Sequence, residues 1–284
     1  MRKMKHAVIA LCAALALSGC RCTEPMCPSR SGAPRFSVFA SAISRVAEQR
    51  GVSLDDAARL LADAGVAGFD TAYNDKRLAE YARTALKPIN LYGFINYRAA
   101  DGGRAANAEF IATAVRYGVP RVMCVPNGFP EGVPSEEEYE KVRAGLADLV
   151  VRGKASGVVV AIEDFGGTVN PCSYAKYLSR FLSDVPDLAF ALDSGNLYWA
   201  GRGDDILDAF EYAKGRIAHV HLKDQSRENN RAYVTLGLGG VPNAEIVRRL
   251  SKDGYSEWYT IENPVDDVLD DVVRQIAVVR HWSR

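Results

Sequence analysis

Cysteine, histidine and tryptophan are all scarce in this chain, with six, four and three in 284 residues. The cysteines (Cys12, Cys20, Cys22, Cys27, Cys124, Cys172) show no spacing that a structural zinc site would need. Formal charge is balanced, with 35 basic and 35 acidic residues, so the chain has no electrostatic basis for binding nucleic acid. No low-complexity segment or block of like charge interrupts it. No glycine-rich phosphate loop follows the first apolar stretch after Arg35, which counts against a doubly wound open sheet. The apolar run from Ala7 to Leu17 is too short to span a bilayer by itself.

That run does have a reading of its own. A basic start (Arg2, Lys3, Lys5), an apolar stretch of this length and small residues after it form a secretory signal over residues 1–19. Its ending, Leu17-Ser18-Gly19-Cys20, resembles the lipobox of bacterial lipoproteins, which implies Cys20 as the lipidation site. Residues 20–34, rich in Pro, Ser, Arg and Gly, then read as a tether. The expected mature chain is exported and lipid-anchored to a bacterial membrane, on the periplasmic or the cell-surface face. Cys22 and Cys27 could oxidise in that compartment.

From Arg35 to Arg284, short β-rich runs alternate with amphipathic helical patterns. Eight strands are expected, at 36–40, 69–73, 90–95, 121–125, 158–162, 188–192, 217–222 and 258–261. Ser53 and Ser135 each precede an acid by three residues and predict helix starts. Asn243 is expected to cap a helix burying Ile246, Val247 and Leu250, and the last helix to bury Val265, Leu269, Val272 and Ile276. Eight strands separated by helices predict a single-domain (β/α)8 TIM barrel over residues 35–284.

Four strand ends carry the chemistry. Ala161-Ile162-Glu163, Ala191-Leu192-Asp193, His219-Val220-His221 and Thr260-Ile261-Glu262 each close an apolar stretch with a metal-competent side chain. In such a barrel the C-terminal ends of all strands meet at one mouth, so Glu163, Asp193, His221 and Glu262 are expected around one point. Carboxylate oxygens with one imidazole suit one divalent cation, with manganese, magnesium or cobalt preferred to zinc. Period-two alternation puts His219, His221 and Lys223 on one face of the seventh strand. Aromatic residues near the mouth (Tyr73, Tyr92, Phe94, Tyr97, Phe165, Tyr198, Trp199) serve either packing or sugar stacking.

The pattern resembles the xylose isomerase-like barrel superfamily, in particular its sugar phosphate isomerase and epimerase branch. The resemblance covers roughly Phe36 to Trp282. Its carrying segments are the strand ends above, together with Asp193-Ser194-Gly195-Asn196, His221-Leu222-Lys223-Asp224 and Gly237-Leu238-Gly239. It implies that Glu163, Asp193, His221 and Glu262 bind one cation and that Glu163 and Glu262 exchange the substrate proton. It further implies substrate contacts from Asn196, His219 and Arg227. The chain departs from the family at Asp164-Phe165, where many relatives carry Asn-His, and at Leu238, where an acid is common.

A cation on adjacent carbonyl and hydroxyl oxygens acidifies the neighbouring C–H by stabilising an enediolate. Removing the proton with one carboxylate and returning it from the opposite face epimerises the centre. Return to the adjacent carbon isomerises, and loss of a β-hydroxyl dehydrates. Export argues against a phosphorylated substrate. The expectation is therefore a metal-dependent isomerase or epimerase of an unphosphorylated carbohydrate. The alternatives are a lyase, dehydratase or hydrolase of an oxidised keto sugar, and a non-catalytic sugar-binding lipoprotein. The superfamily's apurinic-site endonuclease branch needs a histidine-rich trinuclear centre. Of the four histidines here, His6 lies in the signal and His281 near the C-terminus.

Overall fold

The computed structural model describes residues 33–127, 135–166 and 170–284. The signal segment, Cys20 and all but the last two residues of the tether lie outside the described residues. Eight parallel strands close into a barrel in the order β1-β10-β7-β6-β5-β4-β3-β2. They are β1 (Arg35–Phe39), β2 (Val66–Ala72), β3 (Lys87–Ile95), β4 (Arg121–Pro126), β5 (Val159–Glu163), β6 (Ala189–Asp193), β7 (Ile217–Leu222) and β10 (Trp258–Ile261). With its covering helices this is a (β/α)8 barrel. Among the described residues, no helix is long and apolar enough to cross a membrane.

Two strands start three residues earlier than expected. β2 takes in Val66 and Gly68, and β3 takes in Lys87 and Pro88. Glycine and proline are weak strand formers, but Pro88 stands near the strand's start, where proline is tolerated. A Cβ on Gly68 would lie 2.5 Å from Ile89 Cγ2, so glycine is the residue this close crossing allows. A two-stranded antiparallel ladder, β8 (Asp224–Gln225) with β9 (Tyr233–Val234), sits in the loop after β7. It was not expected from the sequence.

The helix Glu136–Ala155 begins with a full capping box between Ser135 and Glu138. Ser53 accepts the Asp56 backbone N–H at 3.1 Å and caps the helix that follows. Asn243 is not a cap: it is buried, and its side-chain amide donates to the Lys223 carbonyl at 3.0 Å. The last helix starts at Val268, beyond Val265, and buries Val268, Val272, Ile276 and Val279.

The main apolar core lies between the strands and the helices, and each fully buried Phe, Leu or Ile contributes about 1.5–3 kcal/mol there. Inside the barrel the apolar filling is slight. Met123, Ala161 and Ala191 form one small cluster with Tyr92 and Ala189. The rest of the interior layer is polar. Buried Ser37, Asp70, Asn90, Arg121, His219 and Thr260 come from six different strands.

One close approach fixes how a helix seats on the barrel. A Cβ on Gly145 would stand 2.0 Å from Cδ1 of Tyr97, a buried ring. Alanine favours a helix over glycine by about 1 kcal/mol. Overpacking a rigid ring costs more, so Gly145→Ala is expected to lose about 1–3 kcal/mol of stability. A urea titration checks this, and an unchanged midpoint would show that the ring yields.

Candidate metal centre and active site

Each strand end delivers its side chain by a local device. Glu163 closes β5, and Asp193 closes β6. Asp193 Oδ1 accepts the backbone N–H groups of Gly195 (2.8 Å) and Asn196 (2.9 Å), which leaves Oδ2 for the barrel axis. The turn is tight enough to demand glycine, since a Cβ on Gly195 would lie 2.5 Å from Lys223 Cγ. His221 is the fifth residue of β7. Glu262 follows β10, its backbone N–H bonded to the Leu222 carbonyl at 2.9 Å.

The four side chains meet around His221 Nδ1. Glu163 Oε1 is 2.9 Å from it, Glu262 Oε2 3.6 Å and Asp193 Oδ2 3.8 Å. Donor atoms of Glu163, Asp193 and His221 all lie within 4.8 Å of one another. Lys223, two residues after His221 and on the same strand face, reaches into the cluster. Its ammonium is 2.8 Å from Asp193 Oδ2 and 2.9 Å from Glu262 Oε1.

The charges are far from their values in water. Burial lifts the Glu262 carboxyl to about 7, with the Lys223 ammonium opposing and Asp193 adding to the rise. Asp193 sits well below the usual carboxylate range, because the Lys223 charge and His221 outweigh its burial. Burial would lower His221, yet the carboxylates of Asp193, Asp70 and Glu163 packed around the ring hold it well above an ordinary imidazole. Burial pushes His219 the other way, to about 4, despite its contact with Asp70.

The donor set fits a divalent cation. Asp193 Oδ2, His221 Nδ1 and Glu262 Oε2 are all buried without a properly aligned hydrogen-bond partner. Buried polar atoms rarely stay in that condition unless a site uses them. With a neutral imidazole, three carboxylates against one ammonium leave two excess negative charges, which one divalent ion balances. Three oxygens and one nitrogen form a hard donor set.

The other expected site residues fall elsewhere. His219 is not on the substrate side. It shares a strand face with His221 but lies roughly 6–7 Å deeper along β7, fully buried, with Nε2 2.7 Å from Asp70 Oδ2 and 2.9 Å from Thr260 Oγ1. Asn196 is almost buried and braces the Asp193 turn, its amide donating to the Asp164 carbonyl at 2.8 Å. Arg227 ties two loops together, with Nε on the Gly239 carbonyl at 2.9 Å. Tyr97 is core, whereas Phe94 is half exposed and meets Phe165 edge-on at 5.3 Å.

The two departures from the family pattern differ in depth. Leu238 is an exposed loop residue. Asp164 is fully buried and accepts the Asp193 N–H at 2.7 Å, so it holds the backbone of Asp193 in place. Asp224, at the end of the His221–Asp224 segment, gathers the N–H groups of Gln225, Gly237, Gly239 and Val241 and so shapes the next loop.

Sequence reasoning left Lys223 without a role and passed over Asp70. The signal for Asp70 was present: an acid inside a strand, between Phe69 and Thr71, in a fold whose strands are covered on both sides.

Fold and site together define a TIM barrel whose mouth carries a carboxylate-rich group of side chains able to hold a cation. The chain belongs to the xylose isomerase-like TIM barrel family, which it matches over residues 48–281. It is similar to L-ribulose 3-epimerase of Mesorhizobium japonicum, 25% identical over 258 residues that cover 79% of this chain and 82% of that protein. It is also similar to inosose dehydratase of Serratia proteamaculans, 24% identical over 168 residues, 53% of this chain and 56% of that one. The chain thus spans little more than half the length of that dehydratase. Among solved structures, IOLI protein with a bound zinc atom superposes with a TM-score of 0.68 at 16% identity, covering 86% of this chain and 96% of the other. That likeness is one of fold. The named relatives with known reactions are sugar-modifying enzymes.

Proposed function

We propose that the chain is a divalent-cation-dependent isomerase or epimerase of an unphosphorylated carbohydrate, with Glu163 and Glu262 as its acid–base pair. One observation carries the reading. The two glutamates approach the same His221 nitrogen from β5 and β10, with β6 and β7 between them in the ring. Carboxylates so separated can address opposite faces of a substrate carbon.

Glu163, Asp193, His221 and Glu262 would hold the cation, which supplies polarisation of adjacent carbonyl and hydroxyl oxygens. Glu262 Oε1 stays on the Lys223 ammonium, which favours the ionised carboxylate needed to take a proton. Glu163, on the other side, returns a proton to the opposite face. The half-exposed Phe94–Phe165 pair offers an apolar wall at the rim. Basic groups of the loops after β7 and of Lys223 are engaged: Lys223 with two carboxylates, Arg227 with Gly239, and Arg231 over the Trp199 ring at 3.5 Å. This supports a neutral sugar over a phosphorylated one.

Dehydration is the second reading, favoured by the similarity to inosose dehydratase. Proton removal is the same, and a β-hydroxyl then leaves. Turnover of a panel of ketoses and keto-sugars in deuterated water, with manganese supplied, separates the two. The proposal expects deuterium at the carbon beside the carbonyl in a product of unchanged elemental formula. Products lighter by one water would transfer the assignment to a lyase. Sugar binding without any exchange would sink both.

A further inference from the structure

Beneath the proposed centre lies a buried polar layer whose hub is Asp70. Its Oδ2 accepts from Asn90 Nδ2 at 2.8 Å, and stands 2.7 Å from His219 Nε2 and 3.0 Å from His221 Nε2. Its Oδ1 lies 3.3 Å from each of the Ser37 and Thr260 hydroxyls, which are themselves hydrogen-bonded at 2.7 Å. These partners sit on β1, β3, β7 and β10, so one carboxylate links five strands across the barrel axis. A buried carboxylate without such donors would be costly.

The network dictates where the imidazole protons sit. A guanidinium only donates, and Arg121 Nη1 faces His219 Nδ1 at 3.4 Å. His219 therefore carries its proton on Nε2 and donates upward to Asp70. Arg121 is itself held by Glu257, its Nη2 2.9 Å from Oε2. Ionised Asp70 only accepts, so His221 must also be protonated on Nε2. In the neutral ring that a cation requires, the Nδ1 lone pair is then turned toward Glu163, Asp193 and Glu262.

We propose that Asp70 is the positioning residue of the metal centre: it fixes the His221 proton on Nε2 and thereby makes Nδ1 the cation ligand. His219 and Arg121 hold Asp70 in place from below. This rests on the cation centre proposed above. It competes with a definite alternative, because Asp70, His219 and His221 Nε2 are by composition a metal-capable group themselves. The hydrogen bonds of Asn90, Ser37 and Thr260 already occupy that lower cluster, and it is sealed from solvent.

The test uses the full chain, labelled with nitrogen-15 and loaded with zinc, a diamagnetic probe. Long-range proton–nitrogen spectra of the wild type are expected to show His221 with zinc on Nδ1 and a slowly exchanging proton on Nε2. Zinc on Nε2 would overturn the proposal and identify the lower cluster as the site. In parallel, Asp70→Asn is expected to weaken zinc binding by about 10–100-fold in a chelator competition, the range seen when an outer partner of a ligating histidine is removed. Affinity within twofold of wild type would overturn the positioning role while leaving the centre standing. A wild type that binds no zinc would remove the centre and the inference with it. Should Asp70→Asn fail to fold, the wild-type spectrum decides alone.

Discussion

Glu262→Gln is expected to lower turnover by about 10²- to 10⁴-fold while the chain keeps its cation, the range associated with loss of a positioned acid–base group. The amide is isosteric and retains one carbonyl oxygen, which can face the cation from the Oε2 position at the cost of the Lys223 contact that Oε1 makes at 2.9 Å in the native chain. What it cannot do is take up a proton. Glu262 is the least buried of the four proposed ligands, its side chain 17% exposed against 1% for Asp193, so it is the one open to the mouth. Two measurements check this: metal content by plasma mass spectrometry, and deuterium wash-in on a substrate found by the panel above. Wash-in at the wild-type rate would remove Glu262 from the acid–base pair.

His221→Ala should do the reverse and empty the centre. Three of the contacts that define it converge on Nδ1, and Nε2 is the link to the layer below. Without the ring, three carboxylates remain with Lys223 already bridging two of them. The ammonium becomes the natural counter-charge, and a cation has no neutral donor to orient it. We expect affinity to fall by more than the roughly 100-fold that loss of an outer partner causes. Plasma mass spectrometry on untagged protein should read about one metal per chain in the wild type and almost none in the variant. One metal retained in the variant would show that the nitrogen is dispensable. About three in the wild type would point to a multinuclear centre.

The barrel was legible in the sequence because its strands are bounded by strong punctuation and its helices by serine caps. The bounds that slipped, at β2 and β3, did so where Gly68 and Pro88 depress strand propensity that tertiary pairing restored. The convergence of Glu163, Asp193, His221 and Glu262 was legible for a topological reason: a parallel barrel sends every strand end to one rim. Depth was less visible. Alternation told correctly that His219 and His221 share a face, but a face has length, and two residues of rise carried His219 into the interior. Asn196 and Arg227 show a different gap, since their partners, the Asp164 and Gly239 carbonyls, are set by backbone paths that no side-chain pattern encodes. Asp70 was hidden because its meaning lies in five partners on other strands.

The direction of the strands has one more consequence. Arg35 opens β1 beside Ser256 and Glu257, at the end of the barrel remote from Glu163, Asp193 and Glu262. Anything that fastened the chain to a surface from ahead of Arg35 would grip the barrel by its floor. The mouth, at the opposite end, would be left clear of that attachment point.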